Sequence, residues 1–257
     1  MSERDDEFYT GYLPEAPTGV ARRVRQAVVL IFALAAAAAL AMVFAQRGFS
    51  SAVFEYGVVR DFAGVVHEEP HPTLEVDPPG RRDGARSRFY LVAPGKHGAG
   101  DLIAGLDGRR VRLRGSLIYR DDQTMIEVVP GSVVPDAEAA TDSGAAGSSL
   151  AGPTLGVHTL TGRILDAKCY LGVMKPGSGK PHRACASLCI RGGVPPIFVL
   201  ADAGGPAAYL MLVGADGRAV NAEVLAMVDE PLEITGEVVR EGDLLVLKAD
   251  PDTYRRL

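Results

Sequence analysis

The run QAVVLIFALAAAAALAMVFA, Gln26 to Ala45, carries no charge over about 20 residues. As a helix rising about 1.5 Å per residue it covers roughly the 30 Å of a bilayer's hydrocarbon. A segment this apolar is costly to leave in water, so the chain is predicted to carry a single N-terminal transmembrane α-helix over 26–45. Arg22, Arg23 and Arg25 precede the run, whereas only Arg47 follows it closely. That asymmetry keeps the tail 1–25 in the cytoplasm and sends the rest outward. The predicted location is the bacterial inner (cytoplasmic) membrane, single-pass, with extracytoplasmic, periplasmic C-terminal domains. The rival is a cleaved signal peptide with Val43 and Ala45 before the cut. It must accommodate an apolar run longer than the usual core of roughly 7–15 residues. Arg22-Arg23 lacks the apolar-basic continuation of a twin-arginine export signal.

Beyond the anchor, short alternating runs of Val, Ile, Leu and Tyr are broken by Gly, Pro and Asp, and helical periodicity is scarce. An Ala/Ser/Gly-rich stretch, 136–154, has no apolar period and reads as a flexible linker. It separates two blocks, 49–135 and 155–257. VRLRGSLIYRDDQTMIEV in the first and LEITGEVVREGDLLVL in the second share a strand, a glycine (Gly115, Gly236), a strand, a turn and a strand. Upstream, GVVHEE after Gly64 parallels GRILDA after Gly162, and RFYLVAPG is matched to PIFVLADAGG. A glycine that permits a sharp bend, followed by a closing hairpin, is what a small curved barrel needs. The predicted fold is an all-β outer region of two tandem OB-like barrels. The alternative is two unrelated β-sandwich halves.

The blocks differ by an insertion, CYLGVMKPGSGKPHRACASLCIRGG, which holds all three cysteines of the chain. PHRACASLCIRGG reads as one short helix, with Pro181 in its first turn and Gly192-Gly193 as its stop. His182, Cys185 and Cys189 then fall at i, i+3 and i+7 on one stripe, and Cys169 approaches from the end of the preceding strand. A Cys3His set suits a zinc, copper or iron ion, and Met174 in the loop offers a soft thioether. A disulfide staple from Cys169 to Cys185 or Cys189 is the rival, since an oxidising compartment pairs thiols. A Cys185–Cys189 bond is awkward at helical i,i+4 spacing. A reactive thiol remains a third reading, with Lys168, Lys175, Lys180 and Arg183 as neighbours able to lower its pKa or to form a solvated rim. Asp166 is either a turn residue or a carboxylate that fixes the His182 ring. There is no CxxCH stretch for covalent haem attachment and no CxxC pair.

TGRILDAKCYLGVM…HRACASLCIRGGVPPIFVL resembles a group of small exported bacterial proteins of uncharacterised function. They share an Asp-x-x-Cys, a variable loop and a His-x-x-Cys-Ala-x-x-Cys helix followed by Gly and Pro. In this chain the matching positions are Asp166, Cys169, His182, Cys185, Ala186, Cys189, Gly193 and Pro195. The resemblance covers the C-terminal half and implies a module and an export route, without a known activity. An anchor with an OB-like outer domain is also similar, in architecture alone, to the periplasmic haem chaperones of cytochrome c maturation. Their haem-attaching His with a nearby Tyr is absent, since Tyr254 has no His near it.

His67, Glu68, Glu69 and His71 form a brief acidic and histidine cluster, which Pro70 and Pro72 place in a surface loop. A formal charge of -5 and 6% aromatic residues argue against nucleic acid, which needs a basic groove with stacking rings. No Ser-His-Asp order, phosphate loop or paired-carboxylate pattern is present, so no catalytic residue is assigned. The chain is expected to be a non-catalytic accessory or assembly subunit of a redox or energy-converting membrane complex, with that complex and the membrane as partners. The other readings are a metal or haem carrier using Cys169, His182, Cys185 and Cys189, and a thiol–disulfide redox protein.

Overall fold

The structure, a computed structural model, describes residues 16–46, 52–76, 87–121, 123–136, 152–201, 208–242 and 244–257. The N-terminal unit is one long helix, α1 (Thr18–Gln46). It begins well before the predicted Gln26. Pro17 accepts the Ala21 amide at 2.9 Å and starts the first turn, and the Ala- and Arg-rich stretch that follows sustains it. Its apolar side chains, Ile31, Phe32 and Phe44 among them, are exposed. By length and hydropathy it is apolar enough to be a membrane span or a signal sequence.

Residues 51–257 form a separate compact unit. In chain order its first strands are β1 (Val53–Phe54), β2 (Arg60–His67), β3 (Thr73–Val76), β4 (Ser87–Ala93) and β5 (His97–Gly98), with a single helical turn α2 (Gly100–Ile103) after them. Then come β6 (Arg110–Arg120), β7 (Gln123–Val128), β8 (Val134–Pro135) and β9 (Thr154–Asp166). Helix α3 (Arg183–Arg191) precedes β10 (Pro196–Leu200), β11 (Tyr209–Val213), β12 (Leu232–Glu241), β13 (Leu244–Lys248) and β14 (Arg255–Arg256). The fold is mostly β, with two closed five-stranded barrels. In the first, β2, β3 and β4 are antiparallel, β4 runs parallel to β7, and β7 returns through β6 to β2. The second repeats that circuit as β9, β10, β11, β13 and β12, with β11 parallel to β13. Residues 137–151 of the predicted linker lie outside the described residues.

The glycines noted in the sequence hold equivalent places. A Cβ at Gly64 or Gly162, each on a barrel's first strand, would run into a carbonyl of the second strand, that of Glu75 or Val199. Gly115 and Gly236 also lie too near the carbonyls of Glu127 and Lys248, at the barrel-closing hairpins, to admit a Cβ without a shift. The match of RFYLVA to PIFVL is corrected: β4 is the third strand of its barrel and β10 the second of its own. The true counterpart of β10 is the four-residue β3, too short to stand out as an apolar run.

Each barrel has its own interior, with Leu74, Leu91 and Leu113 in the first and Ile164, Phe198 and Ile234 in the second. A third cluster spans both, joining Tyr90, Ile118 and Met125 to Leu165, Leu171, Ile197 and Val246. The barrels therefore share an apolar seam, which a division of the sequence at its linker does not anticipate. Lys168 lies in that seam, 1% exposed. Its ammonium donates to the carbonyls of Ala93 (2.7 Å) and Gly95 (2.8 Å) and pairs with Glu127 at 2.6 Å. All three acceptors belong to the first barrel. Four-carbon burial with every proton directed at an acceptor is the arrangement a buried ammonium requires. Removing one partner of such a pair costs about 3–5 kcal/mol. Lys168→Ala is expected to lower unfolding free energy by about 3 kcal/mol in denaturant titrations, whereas Lys175→Ala, on the exposed loop, should change it by less than about 0.5 kcal/mol.

Candidate functional site

The insertion of the second barrel folds onto the end of β9. Asp166, the last residue of that strand, is fully buried. One carboxylate oxygen accepts the Cys169 amide at 2.8 Å, and the other lies 2.9 Å from His182 Nε2. The first bond ends the strand, because the chain must turn for the Cys169 amide to reach back. Cys169 therefore opens a wide helical turn, Cys169–Val173, rather than closing a strand, and strand alternation does not decide the relation of Asp166 to Cys169. Two close approaches hold the turn: a Cβ at Gly172 would meet the backbone of Val53, and one at Gly177 that of Cys169.

Helix α3 supplies the other donors. It starts at Arg183, so Pro181 lies just before it and His182 is its cap residue, with the His182 carbonyl taking the Ala186 amide at 2.9 Å. At the far end the Val194 amide reaches the Cys189 carbonyl at 3.0 Å, and Gly193 adopts φ +92°, a left-handed conformation suited to glycine. The ligand atoms of Cys169, Cys185 and Cys189 lie within 4.8 Å of one another, and so do those of Asp166, Cys169 and His182. Cys169, Cys189 and His182 are buried, and Cys185 is partly exposed. All three cysteines are free thiols. Met174 is 42% exposed.

The cations near the cluster differ from those the sequence suggested. Lys168 is committed to the seam, Arg183 pairs with Glu230 at 2.6 Å, and Lys175 and Lys180 are exposed. The cation that reaches a thiol is Lys96, from the β4–β5 hairpin of the first barrel, whose ammonium donates to Cys185 Sγ at 2.6 Å. Gly192 permits this approach, since a Cβ there would strike the Lys96 carbonyl, and the Gly98 amide bonds the Gly192 carbonyl at 2.9 Å. No sequence signal ties Lys96 to a helix about 90 residues away.

Proton placement follows from these contacts. Cys169 donates a hydrogen bond to Cys189, and that bond, followed by burial, pushes the Cys169 thiol well above its ordinary value. The same bond holds Cys189 below it, against burial and the negative Asp166, with Lys96 assisting. Lys96 is raised, first by its bond to Cys185. His182 Nε2 faces a carboxylate and so carries the ring proton, which leaves Nδ1 with a lone pair. Nδ1 is buried without a hydrogen-bond partner. A tetrahedral thiolate site with bonds of about 2.3 Å needs sulfurs about 3.8 Å apart, a spacing compatible with this group. The three convergent thiols fit an ion site, and His182, oriented by Asp166, is grouped with Cys169 but not with Cys185 or Cys189.

No protein-family model matches the chain, and no curated protein is similar to it in sequence.

The HEEPH segment is only partly a surface loop. Glu68 accepts the amides of Leu106 and Asp107, and His67 lies 3.3 Å from the buried Glu75. His71 is buried, its Nε2 has no partner, and burial lowers its pKa to about 4. The folded state thus binds this proton less readily than the unfolded state, whose imidazole titrates near about 6.5. The resulting stability is present above that value and is lost as pH falls toward about 4, up to roughly 3 kcal/mol. Unfolding free energies measured from pH 7 to pH 4 should show this decline, and His71→Phe should flatten it.

Proposed function

We propose that the chain is a membrane-anchored, extracytoplasmic accessory or assembly subunit of a redox or energy-converting membrane complex. It is non-catalytic and holds one transition-metal ion on Cys169, Cys185, Cys189 and His182. On this reading α1 is an uncleaved anchor in the bacterial inner membrane, with the tail 1–25 inside. The two barrels are OB-like, and they offer docking surfaces rather than a turnover site.

The observation that carries the metal reading is the convergence of three thiols, with Cys169 among them also grouped with His182 and Asp166. On the His182 ring Nε2 is held by Asp166, while Nδ1 is buried and unpartnered. A buried polar nitrogen is rarely left unsatisfied without a ligand to take it. Charge favours a divalent ion, zinc first: three thiolates and the Asp166 carboxylate carry four negative charges, of which the ion and the Lys96 ammonium at Cys185 offset three. Burial of Cys169, Cys189 and His182 favours a resident ion over exchangeable cargo, and so a subunit over a metal or haem carrier.

A second reading, thiol–disulfide exchange, is favoured by Cys185 alone, which is partly exposed and bonded to an ammonium.

Native mass spectrometry of the full chain in lipid nanodiscs separates the two. One divalent ion per chain, released on denaturation with all thiols reduced, is the expected result. Asp166→Asn should weaken the ion's binding about 10- to 100-fold, and Cys169→Ser should abolish it. A denatured mass about 2 Da low with no bound metal would mean a disulfide, and the metal reading would fail.

A further inference from the structure

A pocket of about 530 Å³ opens where the end of β6 meets the outer wall of the second barrel, distinct from the thiol cluster. Its walls are largely apolar, from Leu165, Val199, Leu200 and Pro231, with the Tyr170 ring at one side. Its charged side chains are Arg120 and Arg163, and no acidic side chain lines it. The two arginines are not equivalent. Arg163 is engaged, donating to the Asp229 carbonyl at 2.6 Å and lying 3.5 Å from its carboxylate. Arg120 stacks on Tyr170, its guanidinium 3.8 Å from the ring centroid. Its Nε is buried without a hydrogen-bond partner, and the guanidinium also hydrogen-bonds the Tyr170 hydroxyl.

A guanidinium carries five N–H donors, so Arg120, with Nε unpartnered, keeps donors to offer an acceptor beyond Tyr170. Its planar fork matches a carboxylate, and the stacked tyrosine holds that fork in place. The cavity lies in the roughly 300–1,000 Å³ range of small-molecule sites, which pair apolar walls with a few fixed polar groups. We propose that this pocket binds a small organic carboxylate with an apolar or aromatic body. The carboxylate sits on Arg120, and the body lies against Val199, Leu200 and Pro231.

The test uses 4-phenylbutyrate and its neutral amide as probes, titrated calorimetrically into the full chain in nanodiscs, with empty nanodiscs as the blank. The acid should bind at least about tenfold more tightly than the amide, as a charge-assisted pair in a sheltered site implies. Arg120→Leu should erase that preference and Arg120→Lys should keep part of it. Thermal melting of each variant verifies that it is folded. Equal binding of acid and amide, no saturable binding by about 10 mM acid, or an unchanged preference in folded Arg120→Leu would overturn the proposal. If Arg120→Leu does not fold, Arg120→Lys decides: an affinity for the acid equal to that of the unaltered chain would contradict the carboxylate fork.

Discussion

The Asp166 carboxylate organises the chemistry of this chain with its two oxygens. One ends a strand and turns Cys169 inward; the other reaches across the insertion to His182. Neither contact is exchangeable for water, because the residue is fully buried and an acid there must be hydrogen-bonded. Local backbone geometry and imidazole orientation are thus set by one side chain. The three thiols then converge because α3 presents Cys185 and Cys189 toward the turn that Asp166 creates. An ion bound there by three thiolates would displace the thiol protons of Cys169, Cys185 and Cys189.

This cluster lies at the seam of two barrels rather than inside either. Lys168, the residue before Cys169, extends the other way into three acceptors of the first barrel. Lys96 extends back from the first barrel to Cys185. The two lysines cross the seam in opposite directions. The chemistry of the insertion therefore depends on both barrels being docked. A buried ammonium satisfied only by the neighbouring barrel's carbonyls and carboxylate makes separation costly, since each partner would be left needing water.

Much of the architecture was legible before any coordinates. The apolar run marked a long helix, and Gly64, Gly115, Gly162 and Gly236 marked equivalent bends, because close strand contacts exclude a Cβ and leave a periodic trace. The spacing of Cys185 and Cys189 placed two thiols on one helix, whereas His182, expected on the same stripe, caps that helix and is grouped with Asp166 and Cys169. What escaped was long-range. β3 was missed because four residues carry little periodicity. Lys168 read as a rim cation because nothing in its neighbours reveals acceptors some 40 to 75 residues away. His71 read as loop because flanking prolines signal a turn, not whether packing covers it. Lys96 had no local signature at all. Pairing across a seam is a property of docking, which a linear pattern does not encode.

The central claim is that Cys169, Cys185, Cys189 and His182 act together on one ion. X-ray absorption at the metal edge of the full chain, purified in nanodiscs, tests it most directly. The account predicts three sulfur neighbours at about 2.3 Å and one nitrogen at about 2.0–2.1 Å. A first shell of oxygen and nitrogen alone, or a metal-free protein with two of its cysteines oxidised to a disulfide, would contradict it.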